Sequence, residues 1–303
     1  MPDRGLTWRP GRAVDLRATL GPLRRGAGDP SVRFDTDGAV YWATGTPDGA
    51  GTLALRVLGA EVEAQAWGDG AEWLLEQVPT LVGARDDWSA LDLSAYPGLA
   101  EVWRRHPGLR LPRTDRVLEA LVPAILEQRV TTRQARQSWR ELLLRFGTPA
   151  PGPVAGLRVP PDAGALLAVP SWDWHRMGVE LARQRPIRAA ATVARRMEEC
   201  TRMDAPAAMA RLRVLPGVGA WTAAETVQRA LGAPDAVSFG DFHLHDVVVH
   251  ALTGRPRGDD AEMLALLRPW AGQRQRVVRL VELSGVRKPR FGPRYSPPDL
   301  RAM

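Results

Sequence analysis

The run Val214-Leu215-Pro216-Gly217-Val218-Gly219-Ala220-Trp221-Thr222-Ala223 sets a proline and two glycines between two stretches of helical spacing. Before it, Asp204 can cap a helix over Ala205 to Leu212, with Pro206 suited to the first turn. After it, Ala220, Ala223, Ala224, Val227 and Leu231 mark a second amphipathic helix. Two glycines one residue apart let the backbone turn sharply and come close to another surface. The first N–H groups of the second helix have no internal partners and lie at the positive end of its dipole, so the turn can bind a phosphate. A plain glycine turn between helices is the other reading of the same residues.

The second helix is followed by Asp235-Ala236-Val237-Ser238-Phe239-Gly240-Asp241-Phe242-His243-Leu244, in which Asp241 stands among aromatic and glycine residues. A carboxylate so placed is a helix cap, a desolvated functional group, or both. His243, His245 and His250 raise the question of a metal. The first two would diverge at a helix start and no further ligand cluster follows, so no metal site is expected.

Working outward, helical patterns dominate from Leu111 onward. Thr114 or Asp115 can cap a helix with the stripe Val117, Leu118, Leu121, Val122, Ile125 and Leu126, which Pro123 should kink or shift. Ala135, Trp139, Leu142, Leu143 and Phe146 mark the next helix, and Gly147 to Pro161 reads as a connector. Further helices are expected within 162–169, 187–199, 261–267 and 273–283, and a basic arm with Arg287, Lys288, Arg290 and Arg294 from Val286. Residues 31–70 differ: Val32-Arg33-Phe34, Val40-Tyr41-Trp42 and Thr52 to Val57 alternate around Asp35-Thr36-Asp37-Gly38, as in an antiparallel sheet with a hairpin. Trp73, Leu74, Leu75 and Val78 then suit a helix covering that sheet. The expectation is a mainly α protein with an N-terminal α+β unit over 1–105 and a helical unit over 106–303. Trp103, Trp139, Trp172 and Trp174 are read as core or interface residues.

The hairpin, with Asp241 twenty-two residues after Gly219, resembles the helix-hairpin-helix DNA glycosylases, and among them the bacterial 3-methyladenine DNA glycosylase II type of alkylation-repair enzyme. His106-Pro107-Gly108-Leu109-Arg110-Leu111-Pro112 and Ala124-Ile125-Leu126-Glu127-Gln128-Arg129-Val130-Thr131 are similar to segments at the same places in that family. The resemblance implies the family's helical domains behind a small antiparallel sheet with a helix. It implies a repair enzyme that flips damaged, alkylated purines out of duplex DNA and hydrolyses the N-glycosidic bond. Asp241 would be the catalytic carboxylate, stabilising positive charge on the sugar or positioning water. Asp235 and Asp246 do not match the family position.

The resemblance further assigns DNA contacts to Gly217, Val218, Gly219 and Thr222 of the hairpin and to Gln128 and Arg129. Arg129 stands where the family's familiar example plugs the duplex with an apolar residue. Trp221, Glu225 and Phe242 would line the base pocket, an aromatic face there suiting a cationic alkylated base. Glu225 replaces an aromatic residue of the family, so the lesion range can differ. Strand-cleaving relatives carry a lysine where this chain has Trp221, and Lys288 is its only lysine, so hydrolysis without strand cleavage is expected. Alternatives are a non-catalytic damage-binding protein of the same fold, or an enzyme for another modified base or nucleoside. No chemical cofactor is implied, although family members can hold a monovalent cation on hairpin carbonyls.

Composition agrees with these expectations. A single cysteine, Cys200, excludes a disulfide framework or a Cys-ligated cluster, and a formal charge of +7 permits phosphate binding without requiring it. No apolar run approaches the roughly 20 residues of a membrane span. The expected protein is a cytoplasmic, nucleoid-associated monomer whose partner is double-stranded DNA.

Overall fold

The computed structural model describes residues 2–287, so Lys288 and the rest of the expected basic arm lie outside the described residues. The N-terminal part begins with β1 (Arg4–Trp8) and α1 (Leu16–Leu20). It continues through β2 (Val32–Phe34), β3 (Val40–Thr46), β4 (Gly49–Leu58), β5 (Glu61–Trp67) and α2 (Ala71–Leu81). The five strands form one antiparallel sheet in the order β1-β5-β4-β3-β2. Alternation decides its faces: Val62, Ala64 and Ala66 of β5 are buried, while Glu63 and Gln65 between them are exposed. α2 covers the buried face, where Leu74, Val78 and Leu81 join Leu53, Leu55 and Val62 in one core. A Cβ on Gly51 would lie 2.5 Å from Leu74 Cδ1, so glycine lets the helix come this close to β4.

The helical part comprises α3 (Pro97–Arg105), α4 (Val117–Leu126) and α5 (Thr132–Phe146), a two-strand pairing of β6 (Thr148–Pro149) with β7 (Arg158–Val159), and then α6 (Ala163–Ala168) and α7 (Ser171–Arg176). It continues with α8 (Leu181–Thr192), α9 (Ala194–Glu198), α10 (Ala205–Leu212) and α11 (Ala220–Ala230). α12 (Leu244–Thr253), α13 (Asp260–Leu267) and α14 (Arg274–Leu283) complete the described chain. Every residue of α4 except Glu119 is buried, so this helix is wrapped by its neighbours rather than packed on one face. Pro123 does not end it. The expected cap at Thr114 or Asp115 is replaced by a distant one, since the Glu198 carboxylate accepts hydrogen bonds from Val117 N (2.9 Å) and Leu118 N (3.0 Å).

Three cores result. The sheet and α2 form one, and α4, α5 and α8 to α11 form a second. Residues 88–111 form the third together with Val237, Val248 and the apolar faces of α13 and α14. Trp174 and Trp139 belong to the second, and Trp103 stacks on Trp88 with ring centroids 4.4 Å apart. Trp172 is 62% exposed and so is not a core residue, because it falls on the outer face of the short α7.

Candidate active site and DNA interface

The turn between α10 and α11 is built as its residues demand. Asp204 caps α10 by accepting from Ala207 N at 2.8 Å. Leu215 and Val218 are buried and hold the turn against the second core, while Val214 projects outward. Gly217 has φ +83°, and a Cβ there would lie 2.4 Å from Pro186 Cγ on α8, so position 217 requires glycine twice over. Gly219 begins α11 in extended conformation with nothing within 4 Å of a would-be Cβ, which leaves the approach to the helix N-terminus open.

The α4–α5 loop braces this turn. Gln128 Nε2 donates to the Gly217 carbonyl at 2.9 Å and to Thr222 Oγ1 at 2.8 Å. The next residue, Arg129, has φ +53°, is exposed, and has no hydrogen-bond or ionic partner among the described residues. One side chain thus ties the loop to the hairpin while its neighbour projects into solvent.

Asp241 lies across α11 from that loop. Its Oδ2 accepts from Trp221 Nε1 at 3.1 Å, and its Oδ1 accepts from His243 N at 2.8 Å and Leu244 N at 2.9 Å at the start of α12. The two sequence readings of Asp241 therefore coexist: it satisfies the orphan amides of a helix start and remains partly exposed. Gly240, with φ +83°, makes the turn before it, and its N–H donates to Asp260 Oδ2 at 2.7 Å.

No protein-family model matches the chain. Over 189 residues it is 33% identical to the probable bifunctional transcriptional activator/DNA repair enzyme AlkA of two Mycobacterium tuberculosis strains. That match takes in 59% of this chain and only 36% of the curated relatives' length. The 3-methyladenine DNA glycosylase of Archaeoglobus fulgidus superposes with a TM-score of 0.75 at 16% identity, covering 92% of this chain and 98% of that one. A Clostridium acetobutylicum 8-oxoguanine glycosylase/lyase, bound to double-stranded DNA with cytosine opposite 8-oxoguanine, gives 0.69 at 12% identity, covering 90% and 91%.

The chain shares the fold of these solved DNA glycosylases.

Within this fold, several residues stand differently from the sequence expectation. Thr222 is 2% exposed with its hydroxyl taken by Gln128, so both side chains brace the hairpin. Phe242 is 82% exposed, its ring set edge-on to His243. Glu225 is turned into a buried charge network: its Oε2 accepts from Arg229 Nη1 at 2.8 Å and its Oε1 from Ser238 Oγ at 2.5 Å. Burial pushes the Glu225 carboxyl up, but Arg229, the Ser238 hydroxyl and Arg25 outweigh it, and the group is held below its ordinary value. Arg25 arrives from the N-terminal part, pairs with Glu127 at 3.0 Å, and has its own pKa lowered by burial and then by Arg229.

Arg25, Glu127, Arg229 and Ser238 escape the sequence reading. Ser238 stands inside the quoted motif, whereas Arg25 is joined to its partners only by tertiary folding. Asp235 makes a two-pronged ion pair with Arg274, and Asp246 accepts from Gly258 N at 3.0 Å. Among the described residues no group of three metal-ligating side chains occurs.

Proposed function

We propose that this chain is a DNA glycosylase that flips a damaged purine from duplex DNA and hydrolyses its bond to the sugar, without cleaving the strand. The observation that carries the reading is the Asp241 carboxylate, held by the Trp221 indole and two backbone amides one helix away from an open hairpin N-terminus. The amide of Gly219 at the start of α11, with Gly217 shaping the turn, would hold a phosphate of the damaged strand, the Val218 amide being taken by the Leu215 carbonyl. Arg129 would enter the space left by the base. A carboxylate beside the anomeric carbon stabilises the positive charge that develops as the bond breaks. Trp221 stands in place of an amine nucleophile, so water is the attacking group.

The test is base release from duplex DNA treated with a simple methylating agent, comparing the wild type with Asp241→Asn and analysing the strand for nicks. Release of 3-methyladenine or 7-methylguanine by the wild type alone, on intact strands, supports the reading; nicked strands overturn its monofunctional part. The inward turn of Glu225 and the outward turn of Phe242 favour a second reading for specificity. Of the three expected pocket residues only Trp221 faces Asp241, which suits a lesion other than an alkylated purine.

A further inference from the structure

α5 buries Ala135, Ser138, Trp139, Leu142 and Leu143 against the second core. Its opposite face exposes Arg133, Arg136 and Arg140 at spacings of three and four, which places them on one stripe. None of the three has an ion-pair or hydrogen-bond partner among the described residues. The carboxylates nearby are engaged elsewhere: Glu141 with Arg145, Glu127 with Arg25, and Asp29 with the Arg25 amide and Ser31. A stripe of three guanidiniums without counter-charges stores repulsion in the isolated protein, and a polyanion would relieve it.

The stripe is continuous with the hairpin and is built against the N-terminal part. It starts four residues after Arg129, whose neighbour Gln128 is bonded to Gly217. At its far end the stems of Arg136 and Arg140 lie along the 24–28 loop: a Cβ on Gly26 would meet Arg136 Cδ at 2.8 Å, and one on Gly28 would meet Arg140 Cδ at 3.4 Å. Glycines at both positions leave room for these stems. Beyond them Arg140, Arg24 and Arg33 line a cleft of about 690 Å³ together with Asp29, Asp35 and Asp37, of which Asp35 is paired with Arg33 and Asp37 with Arg56. From Arg133 to Arg140 the helix rises about 10 Å, the axial length of roughly three phosphates on one DNA strand.

We infer that Arg133, Arg136 and Arg140 form a second phosphate track, along which duplex DNA flanking the lesion runs from Arg129 toward the N-terminal part. The inference rests on the proposed DNA substrate and extends its footprint beyond the hairpin.

The experiment measures binding of the full chain to two duplexes with a central abasic-site analogue, one of about 25 base pairs and one of about 9, by fluorescence anisotropy across a salt series. For Arg133→Gln/Arg136→Gln/Arg140→Gln, the slope of log affinity against log salt on the long duplex should be shallower by about 0.9 for each phosphate no longer neutralised, about two to three in total. On the short duplex, and in the rate of base release at saturating protein, the variant should match the wild type. Arg140→Gln alone should remove about one unit, which guards against misfolding of the triple variant. Equal slopes on the long duplex overturn the track. A wild type that binds the long duplex with the steeper slope but releases no base sinks the glycosylase reading and leaves the track standing.

Discussion

The indole N–H of Trp221 donates to Asp241 Oδ2 at 3.1 Å, fixing the carboxylate on the side that its two backbone donors leave free. In the proposed mechanism Trp221 thus orients the carboxylate that would work with water. Trp221→Phe keeps the ring and deletes this donor. A hydrogen bond to a charged group contributes about 1.5–3 kcal/mol, so the single-turnover rate should fall about 10- to 100-fold if that interaction operates in the transition state. Binding to an abasic-site duplex should be unchanged; an unchanged rate would show that the bond is ornamental to catalysis.

Glu225 and Arg229 have side chains only 13% and 15% exposed, and Arg25 adds a second buried cation. Removing one partner of such a pair leaves an uncompensated charge, at a cost of about 3–5 kcal/mol. Glu225→Ala should lose that much in urea unfolding at neutral pH. Glu225→Gln, which can still bond Ser238 and Arg229, should lose less. If both lose under about 1 kcal/mol, water has replaced the carboxylate and the network is not tight.

The two hairpin glycines should respond differently to a methyl group. At Gly217 alanine meets Pro186 and a left-handed backbone that costs about 1–2 kcal/mol, so Gly217→Ala should destabilise the fold and weaken DNA binding together. At Gly219 the space is open and φ is −90°, so Gly219→Ala should keep its melting temperature and lose only affinity. Equal melting points for the two variants would contradict the packing of the hairpin on α8.

Features legible in the sequence are those written in local order. The Asp204 cap, the glycine hairpin, α2 and the β2–β3 hairpin each depend on a few neighbouring residues, and each forms as its pattern dictates. β1 is not legible, because Arg4–Trp8 pairs with β5 across some sixty residues and carries no turn beside it. α3 and α7 are short, and their burial comes from partners far along the chain. In the site, Asp241 and Trp221 are reached through the resemblance that the hairpin and its distance to Asp241 carry. Glu225 misleads because the cations that draw it inward, Arg25 and Arg229, belong to different elements, and only the folded chain brings both beside it. Gln128 reads as a DNA contact because its sequence cannot reveal that Gly217 O and Thr222 Oγ1 already use its amide.

Glu119 is the one residue of α4 that is only partly buried, and it joins the sheet to the helical part: its carboxylate accepts from Thr44 Oγ1 at 2.6 Å and from Gly45 N at 2.9 Å. Burial raises its pKa above the ordinary carboxylate value, more than Arg116, Thr44 and Gly45 lower it. The folded state therefore binds this proton more tightly than the unfolded state. Stability from this group is fully present below the unfolded pKa and is lost as pH rises from there through the raised folded value. Glu119→Gln keeps the acceptor oxygen and has no proton to lose. Its melting temperature relative to the wild type should therefore be higher at about pH 8 than at about pH 4, measured by thermal unfolding in matched buffers. A variant that loses ground at the higher pH instead would mean that the ionised carboxylate, through Arg116, is what holds the sheet on α4.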